Sequence, residues 1–235
     1  MKKVTVSLLC LGLVCVVAFA TAMPKDFFVN VSNAVNSRPQ VILDAGHGGF
    51  DGGAVAQDGT VEKDINLEIC ITLADFLKAN GYEVIMTRTA DVSTDDVETK
   101  TIATRKKSDL KNRLQLMKDY PDAVFVSIHL NKFTTSAAFG SQVFYSGRQE
   151  NSKTLGEYIQ KSIVSMLQPE NTRVNKKATS STYLLYNATI PAVLVECGFL
   201  SNKAELQKLK DSEYQRKMAF CIYCGINNYF SNKEI

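Results

Sequence analysis

The sequence predicts a single α/β domain: a mostly parallel central sheet of about five or six strands, flanked by helices on both faces. Three observations carry that prediction. Short apolar runs at 41–43, 123–128 and 192–196 have the continuous character of strands buried on both faces. Longer segments between them repeat apolar residues at three- and four-residue steps, the helical period. The apolar share of 45% over 235 residues is enough for a core of that size.

In chain order, the strand at 41–43 runs into a loop reaching about residue 60, with Gly46, Gly48, Gly49, Gly52 and Gly53 around His47. Residues 61–80 place Ile65, Ile69, Leu73, Phe76 and Leu77 on one helical face, and Gly81 closes that helix. Residues 82–88 read as a strand, being rich in β-branched and aromatic types. The acidic, threonine-rich stretch 89–101 has no period and reads as an exposed loop. Residues 102–120 form a basic amphipathic surface helix with Leu110, Leu114 and Met117 on one side. The strand at 123–128 leads into His129, and a fourth strand is expected at 141–146. Leu155, Ile159, Ile163 and Met166 mark a helix at 151–167 that Pro169 stops. The polar, basic stretch 170–182 reads as a loop, 183–186 as a short strand, and 192–196 as the last strand. Helices at 203–210 and 213–230 close the chain, with no internal repeat and no second domain expected.

The N-terminus is of another kind. Residues 1–23 combine Lys2 and Lys3 with an apolar run ending in Ala20-Thr21-Ala22, which reads as an export signal. The run is close to the roughly 20 residues that span a bilayer, so it serves either as a cleaved signal peptide or as an uncleaved membrane anchor. Neither Cys10 nor Cys15 follows the small residue of a lipoprotein cleavage site. Residues 24–38 form a linker and 39–232 the folded domain, placed outside the cytoplasm, membrane-anchored or secreted. The net charge of +3 includes Lys2 and Lys3; without them it is +1, and no nucleic-acid partner is expected. Of the remaining cysteines, Cys70, Cys197, Cys221 and Cys224, the last two have C-x-x-C spacing inside an apolar segment with no second pair and read as buried structural thiols rather than a redox or zinc pair; the even count in an exported chain also permits a disulfide.

Three strands end on reactive groups: the first delivers His47, the third His129, the last Glu196. In open α/β sheets the ligand crevice lies outside the carboxyl ends of the strands, where residues far apart in sequence converge. Glu62, at the start of the first helix, faces the same edge. Two imidazoles and a carboxylate are a common three-ligand set for catalytic zinc, and His47 and His129 are the only histidines present. The third ligand is Glu62 or Glu196, the other carboxylate being free to act as base. A phosphate cradle is a poorer account of the glycine loop, because G-x-G-x-x-G fails at Asp51 and no Walker lysine follows.

Four blocks then carry a resemblance. Asp44-Ala45-Gly46-His47-Gly48-Gly49 with Asp51 and Gly53-Ala54, Glu62-Lys63 with Asn66-Leu67, Ser127-Ile128-His129 with Asn131, and the run from Pro191 to Glu196 with Gly198-Phe199-Leu200-Ser201-Asn202 resemble the signature blocks of the zinc-dependent N-acetylmuramoyl-L-alanine amidases of type 3. The likeness covers about residues 41–230. It implies that His47, Glu62 and His129 bind zinc, that Glu196 is the catalytic carboxylate, and that Asn66, Asn131 and the glycines support the site. The implied substrate is peptidoglycan, cut at the amide between N-acetylmuramic acid and L-alanine. The absence of a wall-binding module resembles the spore-cortex members, which strip peptides so that muramic-δ-lactam can form. A ligand set built from loops at sheet ends suggests modest metal affinity, tunable by an activating partner protein or a homodimer. The rival readings are a catalytically inactive peptidoglycan-binding scaffold and a zinc peptidase acting within stem peptides.

Overall fold

The computed structural model describes residues 38–96 and 101–232, so the export segment and nearly all of the linker lie outside it. The first strand, β1 (Gln40–Ala45), is followed by α1 (Glu62–Ala79), β2 (Glu83–Met86), α2 (Ile102–Asp119), β3 (Val124–Asn131) and β4 (Gln142–Tyr145). Then come α3 (Asn151–Met166), β5 (Lys176–Lys177), α4 (Tyr183–Asn187), β6 (Ala192–Phe199), α5 (Lys203–Lys210) and α6 (Ser212–Ser231). The six strands lie in the order β2-β1-β3-β6-β4-β5. All pairings are parallel except β4 against β6, so the expected mostly parallel sheet is found.

Strand alternation divides the interior in two. Val41, Leu43, Val126, Ile128, Val193 and Val195 face the larger core with Leu73 of α1, Leu155 of α3 and Ile222 of α6. Ile42, Phe125 and Ala192 face a smaller core with Met117 of α2 and Leu184 and Leu185 of α4. The β1–β3 register sets Asp44 beside Ser127, and the β3–β6 register sets His129 beside Glu196. These pairs fall at the carboxyl ends of the strands, where the sheet's crevice opens.

Two expectations fail locally. Residues 183–186 are not a strand but the start of α4, because a helical turn sends the adjacent Leu184 and Leu185 together into the smaller core, whereas a strand would put them on opposite faces. Within the expected loop 170–182, Lys176 and Lys177 form the edge strand β5 against Phe144 and Tyr145; two exposed lysines carry no apolar signal. The loop after β2 is more tied down than its composition suggests, since Thr94 bonds Asp109 and Asn112 of α2. Cys70, Cys197 and Cys221 are buried, Cys224 is half-buried, and all four are free thiols. Among the described residues no helix is long and apolar enough to cross a membrane.

Candidate metal centre

His47, Glu62 and His129 converge, each offering a ligand atom within 4.8 Å of the others. Their elements reach this point from three directions. β1 ends at Ala45 and Gly46 N–H donates to the Ile128 carbonyl (3.1 Å), which continues the ladder by one residue. The next residue, His47, takes φ +63, the one non-glycine with positive φ among the described residues; that costs about 1–2 kcal/mol. The loop then returns so that Glu62 opens α1 with its side chain inside the site, only 3% exposed.

Glycines at two positions follow from the crowding. A Cβ on Gly46 would lie within the His129 ring. A Cβ on Gly53, whose φ is +72, would stand 2.6 Å from both Glu62 Oε2 and His47 Cδ2. At these two positions the side chains of His47, Glu62 and His129 occupy the space where another side chain would begin.

His47 and Glu62 are each oriented by contacts outside the cluster. Asp51 Oδ2 takes His47 Nδ1 at 3.0 Å, and the opposite nitrogen, Nε2, lies 3.3 Å from Glu62 Oε1. Lys106 Nζ, 3.0 Å from Asp51 Oδ1, holds that aspartate in turn. His129 uses Nδ1, 2.9 Å from Glu62 Oε1. Glu62 Oε2 accepts from Ala54 N–H (2.8 Å), and Oε1 from Leu130 N–H (3.0 Å) and Asn66 Nδ2 (3.3 Å). The two imidazoles stand edge to face with centroids 4.8 Å apart.

Electrostatics agree with this geometry. Burial alone would lower His47, but hydrogen bonds and charge from Glu62 and then Asp51 outweigh it and raise the imidazole to about 9. Burial would raise Glu62, yet His129 and His47 hold its carboxyl well below the usual range. Glu196 is the opposite case: burial, helped by the charge of Glu62 and opposed by the two histidines, pushes it up to about 7. Its Oε2 is buried without a hydrogen-bond partner, an atom that costs free energy unless something at the site engages it. Two imidazole nitrogens and a carboxylate oxygen on one point, beside an unengaged carboxylate, fit a three-ligand zinc site with a free base.

All four residues singled out in the sequence are therefore found at one place. Asn66 supports the site through Glu62 and the Gly46 carbonyl. Among the described residues the Asn131 side chain makes no hydrogen bond to these four; its carbonyl accepts from Leu200 N–H (2.8 Å) at the end of β6. Cys197, next to Glu196, packs in the larger core. The orienting role of Asp51 was not read from the sequence, although an aspartate four residues after a histidine was a usable signal. Two buried arginines were also missed, Arg88 two residues past β2 and Arg113 on the basic helix α2, because buried and exposed arginines look alike in a sequence.

A parallel-sheet domain with a His–Glu–His cluster and a second, unengaged glutamate at its strand ends has the make-up of a metal-site hydrolase. The chain belongs to the N-acetylmuramoyl-L-alanine amidase family, whose family model matches residues 41–228, and it is accordingly an enzyme that acts on peptidoglycan. It is 39% identical over 193 residues to the germination-specific N-acetylmuramoyl-L-alanine amidase of Bacillus subtilis, covering 82% of this chain and 80% of that protein. Among solved structures it is similar to the CwlD amidase of Clostridioides difficile in complex with the GerS lipoprotein, at 42% identity and a TM-score of 0.80 over 83% of this chain and 99% of the other. An N-acetylmuramoyl-L-alanine amidase of Clostridium difficile 630 aligns at 31% identity and a TM-score of 0.73, over 84% and 99%.

Proposed function

We propose that this amidase is zinc-dependent, that His47, Glu62 and His129 hold the ion, and that Glu196 is the catalytic carboxylate. The observation that carries the reading is the convergence of His47 Nε2, Glu62 Oε1 and His129 Nδ1 on one point beside the unpartnered Glu196 Oε2. Zinc bound there would supply Lewis-acid chemistry, acidifying water and polarising the amide carbonyl. Asp51 keeps a proton on His47 Nδ1 and so leaves Nε2 free as donor. Glu62 contributes one oxygen while Ala54 N–H holds the other in place. Glu196 accepts the proton of the attacking water and returns it to the departing alanine nitrogen. The products are a glycan strand and a free stem peptide.

The finer reading is a role in the spore cortex, supported by the likeness to the germination-specific amidase of Bacillus subtilis. The enzyme works outside the cytoplasm, with residues 1–23 as signal peptide or anchor, 24–38 as linker and 39–232 as the catalytic domain. A protein partner or a homodimer that raises metal affinity belongs to the same proposal, and the structural relative solved with a lipoprotein supports it. Mass spectrometry of digested muropeptides tests the bond: release of intact stem peptides beginning with L-alanine is expected, and cuts within the stem would replace the reading by a peptidase. Metal analysis tests the ion, since a folded chain that takes up no zinc, alone or with its partner, would be a scaffold. Equal zinc affinity with and without candidate partners would remove the partner.

A further inference from the structure

We propose that Arg88 and Arg113 are positioning residues for the metal ligand His47, two buried guanidiniums that clamp the three consecutive carbonyls of residues 45–47 and hold the histidine in its left-handed conformation. The inference rests on the zinc reading of the site.

The need for a clamp arises where β1 ends. Beyond Ala45 the chain leaves the ladder and turns sharply, so the carbonyls of Ala45, Gly46 and His47 need donors from elsewhere. Arg88 Nε donates to the Ala45 carbonyl (2.9 Å), and its Nη2 to those of Gly46 (3.1 Å) and Lys63 (2.7 Å). From the other side Arg113 Nη1 donates to the Ala45 carbonyl (3.0 Å) and Nη2 to that of His47 (2.7 Å). Both arginines are buried, 3% and 2% exposed. A planar guanidinium presents its donors in a rigid fork, so two of them acting on three successive carbonyls define a backbone path more tightly than water could.

Arg113 is itself fixed. Its Nη1 pairs with Asp44 Oδ1, and Asp109 takes its Nε (2.8 Å) and Nη2 (3.2 Å), so all five N–H groups are engaged. The second oxygen of Asp44 accepts from Ser127 Oγ at 2.6 Å. Asp44 stands three residues before His47, and Ser127 two before His129, so one buried network spans both histidine-bearing strands. Arg88 has a different set of partners: its bonds run to backbone carbonyls alone, Ala90 included. Replacing it strands no buried carboxylate, which makes it the cleaner probe.

The test uses the full chain, with zinc affinity measured by competition against a chromophoric chelator and Co2+ as a spectroscopic substitute. Arg88→Met and Arg113→Lys are expected to weaken zinc binding about 10–100-fold, the usual consequence of removing a residue that orients a ligand, and to change the visible bands of the Co2+ form. Leu155→Ala, which loosens the core on the opposite face, is the control for a general loss of stability and should keep wild-type affinity and spectrum. Should Arg113→Lys fail to fold, Arg88→Met still decides. Folded Arg88 variants with wild-type affinity and spectrum overturn the clamp, as does a Leu155→Ala protein that loses affinity equally. Full affinity in Arg88→Lys, which has the charge without the fork, also overturns it. A wild-type protein that binds no zinc sinks the zinc reading itself, whereas wild-type binding with unaffected arginine variants sinks the clamp alone.

Discussion

The two faces of the sheet are built from the same strands and are put to different use. Toward α1, α3 and α6 the strands bury valine, leucine and isoleucine against a continuous apolar layer. Toward α2 the apolar cluster is smaller, and near the carboxyl ends it gives way to buried polar and charged groups: Asp44, Ser127 and Arg113 are at most 2% exposed. A buried ion pair is a poor source of net stability, because desolvating both partners offsets most of their attraction. What it supplies here is direction: besides its two bonds to Asp109 on the same helix, Arg113 binds Asp44 and the carbonyls of Ala45 and His47 on the strand that leads to the first histidine. The larger apolar core and the buried charged network thus lie on opposite faces of the sheet, with Glu62 reaching the site from α1 on the apolar side.

That separation can be broken by substitution. The largest effect is expected from His129→Ala, which should lose both zinc, read by metal analysis, and muropeptide hydrolysis. Glu196→Gln should retain zinc and its melting temperature while activity falls by about 100- to 10,000-fold, the usual contribution of general acid–base catalysis; an active protein would refute the assigned role. On the other face, Leu155→Ala should cost about 2–5 kcal/mol of stability in denaturant unfolding and leave zinc affinity intact. Asp51→Asn should weaken zinc by about 10-fold or somewhat more, with little change in the unfolding midpoint. The smallest effect is predicted for a reductant, which should not move that midpoint because the four described cysteines are free thiols.

Much of this was legible before the structure. Apolar runs announce buried strands whatever their neighbours, so 41–43, 123–128 and 192–196 were found, and with them the residues that leave their ends. Helices with a sustained period, such as those carrying Leu73 and Leu155, were equally clear. Tyr183-Leu184-Leu185-Tyr186 was misread because four residues are too few to separate a period of two from one of 3.6. Lys176 and Lys177 gave no sign of β5 because an edge strand of two exposed residues has only its backbone pairing to identify it.

By itself the sequence determined which side chains were available for chemistry and that each stands where an apolar run ends, since these are local properties. The family resemblance of its motif blocks implied in addition that Glu62 rather than Glu196 is the proposed ligand. Only the tertiary structure decided that Asp51 orients His47, that Glu196 Oε2 is left unengaged, and that Arg88 and Arg113 hold the chain at residues 45–47. The arginine contacts join residues up to 68 positions apart, so they depend on strand order and parallel register, which no single stretch of sequence encodes.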